Sequence, residues 1–90
     1  MEKSDKQMLK KLLAEYKAQL EREQFLLERY NTLYKEWEKQ VENGCETKEM
    51  GLAVDMALDA YTSEKVNVNA IARLTLKYVM KIEKEDNTIE

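Results

Sequence analysis

The chain has 90 residues and a formal net charge of −3, with 43% hydrophobic and 37% charged residues, no Pro and two Gly. This length suits a single domain, and the scarcity of Pro and Gly argues against β-rich and loop-rich folds. We therefore expect one all-α domain over residues 1–90. The slight acidity disfavours a protein that neutralises phosphates along its whole surface, so nucleic acid is not the expected partner.

Few residues could support a catalytic or ligand-binding site. There is no His, Cys45 is the only Cys, and neither common type of Gly-rich phosphate loop is present. The Asp and Glu residues are spread over helix surfaces, which is typical of solvated charge and not of a paired acid and base. We expect no catalytic residue, no metal and no cofactor, and hence a protein that is not an enzyme.

The expected location is the cytoplasm. A single cysteine cannot form an internal disulfide, and the opening segment MEKSDKQMLKK lacks the long apolar run of a signal peptide or a transmembrane segment. Residues 1–44 carry nine basic and nine acidic residues. This balance is not typical of a helix that lies on an anionic membrane, so no membrane partner is expected.

A long first helix is predicted from about residue 4 to residue 43. Ser4 opens a capping-box pattern, and Gly44 suits the position just past a helix end. Ten residues follow one another at the alternating steps of four and three that are typical of a coiled-coil seam. They are Leu9, Leu13, Tyr16, Leu20, Glu23, Leu27, Tyr30, Tyr34, Trp37 and Val41. Leu12, Leu26 and Leu33 widen this face, which favours a helical bundle in which the helix has more than one neighbour.

Two shorter helices are predicted to follow, at about residues 48–61 and 67–84. Thr47 is a suitable N-cap for the second helix, and Asn67 or Asn69 for the third. Between them, the hydroxyl groups of Thr62 and Ser63 compete for backbone hydrogen bonds and predict a short turn. Residues 85–90 are expected to be frayed.

A mismatch in helix lengths predicts self-association. At about 1.5 Å per residue, the first helix would reach roughly 60 Å and the other two roughly 20 and 27 Å, too short to cover its N-terminal half. Apolar side chains left there would each forgo on the order of 1.5 to 3 kcal/mol, and a second copy of the chain is the simplest cover. The residues predicted to form a homodimer are Leu9, Leu13, Tyr16, Leu20 and Glu23. Glu23 is expected either to fix the register of the pair or to mark a point open to water.

The function that fits this composition best is binding, as a small regulator, adaptor or inhibitor that offers a helical surface to a larger protein. Aromatic residues are enriched at interface hot spots, although packing inside the bundle would also account for them. The candidate partner-binding residues are Tyr30, Tyr34, Trp37, Asp55 and Asp59.

An alternative function is DNA binding by a helix-turn-helix unit. Four residues at a spacing of four form a basic edge on the predicted third helix, namely Asn69, Arg73, Lys77 and Lys81. Asn and Arg can read bases in a major groove, and a dimer would supply two half-sites. The simpler interpretation is that this edge pairs with the acidic edge of the second helix across an antiparallel contact.

Overall fold

The computed structural model describes residues 3–89, with side chains described for residues 4–85. Two α-helices, α1 at Lys3–Glu42 and α2 at Lys48–Ile89, form an antiparallel hairpin that measures 70 × 16 × 14 Å. The all-α class is confirmed, and the described residues contain no strand. Contacts join the helices along their length: Asp5 pairs with Lys81 near one end, and Gly51 lies beside Trp37 near the other.

The connection between the helices is held by backbone hydrogen bonds. The amide of Cys45 donates to the carbonyl of Gln40 at 2.8 Å, and the amide of Gly44 donates to the carbonyl of Val41 at 3.0 Å. These bonds define a Schellman motif, in which the residue after the helix is left-handed, and Gly44 has φ 68°. Thr47 then caps α2, because its hydroxyl oxygen accepts a hydrogen bond from the amide of Met50 at 3.1 Å.

The predicted three-helix arrangement is wrong, because residues 48–89 form one continuous helix. Thr62 does not end the helix: its hydroxyl donates to the carbonyls of Leu58 and Asp59 at 3.0 and 3.1 Å, within the preceding turn. Packing against α1 also continues through this segment, since Glu64 and Val68 are both buried. Residues 85–89 are helical and not frayed, and residue 90 lies outside the described residues.

The helices have almost equal lengths, so the predicted mismatch in helix lengths is wrong. With 40 and 42 residues, α2 runs beside α1 over its whole extent. The N-terminal half of α1 is therefore covered on one side, and Leu12 is only 6% exposed. A reason for self-association must come from side chains that α2 leaves uncovered.

The residues of α1 that α2 covers recur at alternating steps of four and three, but they are not the row predicted. Eleven buried or half-buried positions form this row: Asp5, Leu9, Leu12, Tyr16, Gln19, Glu23, Leu26, Tyr30, Leu33, Trp37 and Gln40. Half of the predicted row is included, since Leu9, Tyr16, Glu23, Tyr30 and Trp37 are among them. The other half is replaced by residues one position earlier, such as Leu12 in place of Leu13.

The matching row of α2 has the same spacing and gives the hairpin a thin core. Its members are Met50, Val54, Ala57, Tyr61, Glu64, Val68, Ile71, Thr75, Tyr78, Ile82 and Glu85. Thr75 is buried, and its hydroxyl is satisfied because it donates to the carbonyl of Ile71 at 2.8 Å. No large side chain in the described part of the chain is less than 2% exposed. Two helices alone thus provide little fully dry interior.

The left-handed residue of the connection gives a stability prediction. We expect Gly44→Ala to lower the free energy of unfolding by about 1 kcal/mol, because a Cβ disfavours this conformation. Urea denaturation followed by circular dichroism measures the change. Cys45→Ala is the control, since Cys45 is exposed and free and its truncation should change stability by less than about 0.5 kcal/mol. Equal effects of the two substitutions would contradict the assignment.

Candidate protein-interaction face

A row of apolar side chains on α1 is left uncovered by α2. We call this row the α1 stripe; it consists of Leu13, Leu20, Leu27, Tyr34 and Val41, at intervals of seven residues. Leu13 is 48% exposed, Leu20, Tyr34 and Val41 are also exposed, and Leu27 is half-buried. All five members are apolar or aromatic, whereas the covered row contains Asp5, Gln19, Glu23 and Gln40. The uncovered stripe is therefore more uniformly apolar than the row that holds the hairpin together.

A second row, on α2, lies on the same face of the hairpin. We call it the α2 stripe; it consists of Gly51, Leu58, Lys65, Ala72 and Val79. On the opposite flank, Arg29 of α1 shares grooves with Ala53 and Ala60 of α2. Because Arg29 faces Ala53 and Ala60 on that flank, the α1 stripe and the α2 stripe must face each other on the opposite flank of the hairpin. The two stripes together are the open face.

The ion pairs fix which residues of the two helices lie at the same level. Arg22 approaches Glu64 at 3.9 Å and Asp5 approaches Lys81 at 3.3 Å, and the residue numbers of each pair add to 86. Neighbouring members of the open face have residue numbers that add to 85, so they lie at nearly common levels, within about 1.5 Å along the helix axis. These neighbours are Leu13 with Ala72, Leu20 with Lys65, Leu27 with Leu58, and Tyr34 with Gly51.

The opposite flank carries charge and a smaller apolar patch. Its α1 row contains Glu15, Arg22, Arg29 and Glu36. Beyond this row, Phe25 is 62% exposed and Met56 of α2 is 63% exposed. Phe25 lines one groove with Arg29, and Met56 lines a second groove that Arg29 also lines. We call Phe25, Met56 and Arg29 the flank patch.

The aromatic residues predicted to bind a partner form a ladder along α1. The ring centroids of Tyr30 and Tyr34 are 5.9 Å apart, and those of Tyr34 and Trp37 are 5.8 Å apart, all tilted. Tyr34 belongs to the open face, while Tyr30 and Trp37 belong to the covered row. The two acidic residues of that prediction separate: Asp55 lines an apolar groove with Gly51, and Asp59 lies on the outer surface of α2.

Polar atoms inside the hairpin are only partly satisfied. Glu64 is 7% exposed, and Arg22 approaches one of its carboxylate oxygens while the other has no hydrogen-bond partner. The side-chain oxygens of Gln19 and Gln40 are also buried without a partner. Sequence reasoning missed Glu64, because it lies in the segment predicted to be a turn. The absence of Gly and Pro from residues 52–89 was the signal that could have found it.

The basic edge of the predicted third helix does not belong to a helix-turn-helix unit. Residues 48–89 are one helix, so the turn that such a unit requires is not there. Asn69, Arg73 and Lys77 are exposed on the outside of α2. Lys81 pairs with Asp5, and the hydrogen bond and charge of that carboxylate raise the pKa of Lys81. The predicted pairing of this edge with an acidic second helix is also wrong, since both lie on α2.

Comparison with protein-family models, curated proteins and solved structures gave no match to this chain. Over the described residues, neither helix has a stretch that is long and apolar enough to cross a membrane. Within the same residues, no three or more His, Cys, Asp or Glu side chains are grouped so that they could hold a metal ion. The open face is thus the most extensive feature available for a functional proposal.

The buried carboxylate gives a second stability prediction. We expect Glu64→Leu to raise the free energy of unfolding by about 1 kcal/mol or more, since an apolar side chain there replaces a buried charge that lacks a full set of partners. Urea denaturation measures the difference. Glu21→Leu, on the exposed side of α1, is the matched control and should have little effect. A loss of stability in Glu64→Leu would mean that its ion pair with Arg22 is net stabilising.

Proposed function

We propose that this chain is a non-enzymatic helical protein-interaction module that self-associates and, as a homodimer, acts as a small regulator or adaptor for a larger protein. The open face carries this proposal. An amphipathic helix normally directs one apolar stripe toward a core, but α1 has a covered row and an additional uncovered stripe. Such a double pattern is typical of a helix with two helical neighbours, as in a four-helix bundle.

The surface area of the chain supports association. A compact chain of 10.7 kDa is expected to expose about 5,500 Å², whereas this chain exposes 7198 Å². The excess of roughly 1,700 Å² lies within the 1,000 to 2,500 Å² that each subunit of an obligate homodimer buries. A second copy placed on the open face would therefore restore an ordinary ratio of surface to volume.

The larger partner is proposed to bind at the flank patch, which stays exposed when the open face is covered. Phe25 and Met56 offer two large apolar side chains, and Arg29 between them offers a positive charge. A helical segment with apolar side chains and a nearby carboxylate complements this patch. The cytoplasmic location expected from the single unpaired cysteine is part of the proposal.

Charged substitutions on the α1 stripe test self-association. We expect wild-type protein to be a dimer by light scattering, and Leu13→Glu with Leu20→Glu to be a helical monomer. Four desolvated carboxylates per dimer should weaken association at least about 100-fold. Circular dichroism verifies that the variant remains helical.

The matched control places the same charges elsewhere. Val66 and Met80 are 66% and 59% exposed on the outer surface of α2, so Val66→Glu with Met80→Glu should leave the dimer intact. A wild-type monomer would overturn the self-association part of the proposal, as would equal loss of the dimer in both double variants.

The flank patch gives a separate prediction for the larger partner. A photo-crosslinking residue at Phe25 should trap one defined larger protein in cells, and Met56→Glu should abolish that product without changing the mass of the purified dimer. The same residue placed at Leu27 should yield only crosslinks between copies of the chain. Capture of the same large protein from both positions, or from neither, would contradict this assignment.

A further inference from the structure

We infer that the second copy docks on the open face with each α1 antiparallel to α2 of the partner subunit, so that Glu23 of each chain pairs with Lys65 of the partner subunit. This inference rests on the proposed self-association and specifies its geometry. Two face-to-face arrangements bring the whole open faces together. The two-fold axis runs either along the hairpin, which puts α1 on the partner's α2, or across it, which puts α1 on the partner's α1.

Charge distinguishes the two arrangements. Lys65 is the only charged residue in either stripe. Glu23 is the only charged residue among the members of the covered row that adjoin the α1 stripe, which are Leu9, Tyr16, Glu23, Tyr30 and Trp37. Both lie near the middle of the hairpin: Glu23 is near the middle of the 40-residue α1, and Lys65 of α2 is at the level of residue 21. An axis across the hairpin would place the two Lys65 side chains together near its centre. An axis along the hairpin places each Lys65 beside the partner's Glu23, which is the complementary arrangement.

Neither of these charges has an ion-pair partner within the described part of the chain. Lys65 is exposed and lies 5.9 Å from the centre of the Tyr61 ring, which is a weak contact. Glu23 is half-buried, and no cation approaches it within the 4.0 Å that would define an ion pair among the described residues. Neither charge is therefore committed to an ion pair within the described residues; Lys65 belongs to the open face, and Glu23 lies at the edge of the covered row next to the α1 stripe.

Side-chain size supports the same arrangement. An axis along the hairpin keeps every residue at its own level, so each member of the α1 stripe meets the α2 stripe of the partner at that level. Tyr34 then faces the partner's Gly51, and Leu13 faces the partner's Ala72. A large side chain meets a small one near both ends of the stripes, as close helix packing requires.

Gly51 is not explained by packing within one chain. A Cβ built on Gly51 would come no closer than 3.9 Å to Trp37, an ordinary contact distance, so the hairpin has room for alanine. Glycine inside a helix is also less favourable than alanine. The groove beside Gly51 is lined by Leu52, Asp55 and the stem of Lys48, and the partner's Tyr34 would fill it.

Charge-swap variants test the pairing. Glu23→Lys makes both central positions basic, and Lys65→Glu makes both acidic, so each variant alone should dimerise at least about tenfold more weakly than wild type. An equimolar mixture should form heterodimers preferentially, with an affinity within about tenfold of wild type. Native mass spectrometry of chains that differ in mass measures the three species. Contacts within each chain are the same before and after mixing, so they cannot produce this recovery.

Disulfide trapping gives a second measurement if a charge variant does not fold. In a Cys45→Ser background, chains with Leu27→Cys are mixed with chains with Leu58→Cys. The proposed arrangement brings these two residues together between chains and yields the mixed disulfide. With α1 on α1, Leu27→Cys of one chain would lie roughly 15 Å along the axis from both its own copy and Leu58→Cys of the other chain, too far for any disulfide.

The outcomes separate the geometry from the self-association. Preferential heterodimers and the mixed disulfide are the expected results. A wild-type dimer that Leu13→Glu with Leu20→Glu dissociates, but that shows no heterodimer preference and yields no mixed disulfide, would overturn this geometry alone. A monomeric wild type would overturn both proposals.

Discussion

The structure depends on one constraint, which is that α1 has an apolar face too wide for a single neighbouring helix. One helix can cover only part of the circumference of another, and the part of α1 that α2 covers holds the residues from Asp5 to Gln40 of the covered row. The α1 stripe falls outside it. The hairpin therefore covers half of the predicted pattern in α1. Leu13, Leu20 and Tyr34 stay exposed beside α2, which is the only other helix among the described residues.

The sequence predicted the all-α class, but it could not decide which half of the wide face turns inward. The residues Leu12 and Leu13 are both leucine, so periodicity alone gives them equal weight, and only the position of α2 distinguishes the buried one from the exposed one. The prediction of a turn around Glu64 was wrong for a different reason. The polar residues there resemble a turn locally, yet Thr62 bonds back to its own helix and contacts with α1 outweigh the weak local preference for a turn.

Polar residues buried between α1 and α2 weaken the hairpin as an isolated unit. Gln19, Gln40 and Glu64 each place an oxygen in the interior without a donor, and each such atom costs free energy that a purely apolar row would not. Burial of the apolar α1 stripe would therefore add stabilisation that these polar positions do not provide. A chain that holds several polar residues between its own helices and leaves an apolar stripe uncovered would gain stability from the proposed association.

This arrangement also bears on specificity. Leucine-rich stripes associate readily and discriminate poorly, because hydrophobic contact is not directional. In the proposed dimer, one complementary charge pair and one tyrosine opposite a glycine would add this discrimination. A shifted or inverted partner would bury Lys65 without Glu23 and press Tyr34 against a larger side chain. The few residues that interrupt the apolar stripes would then determine which partner binds, while the apolar residues would supply the affinity.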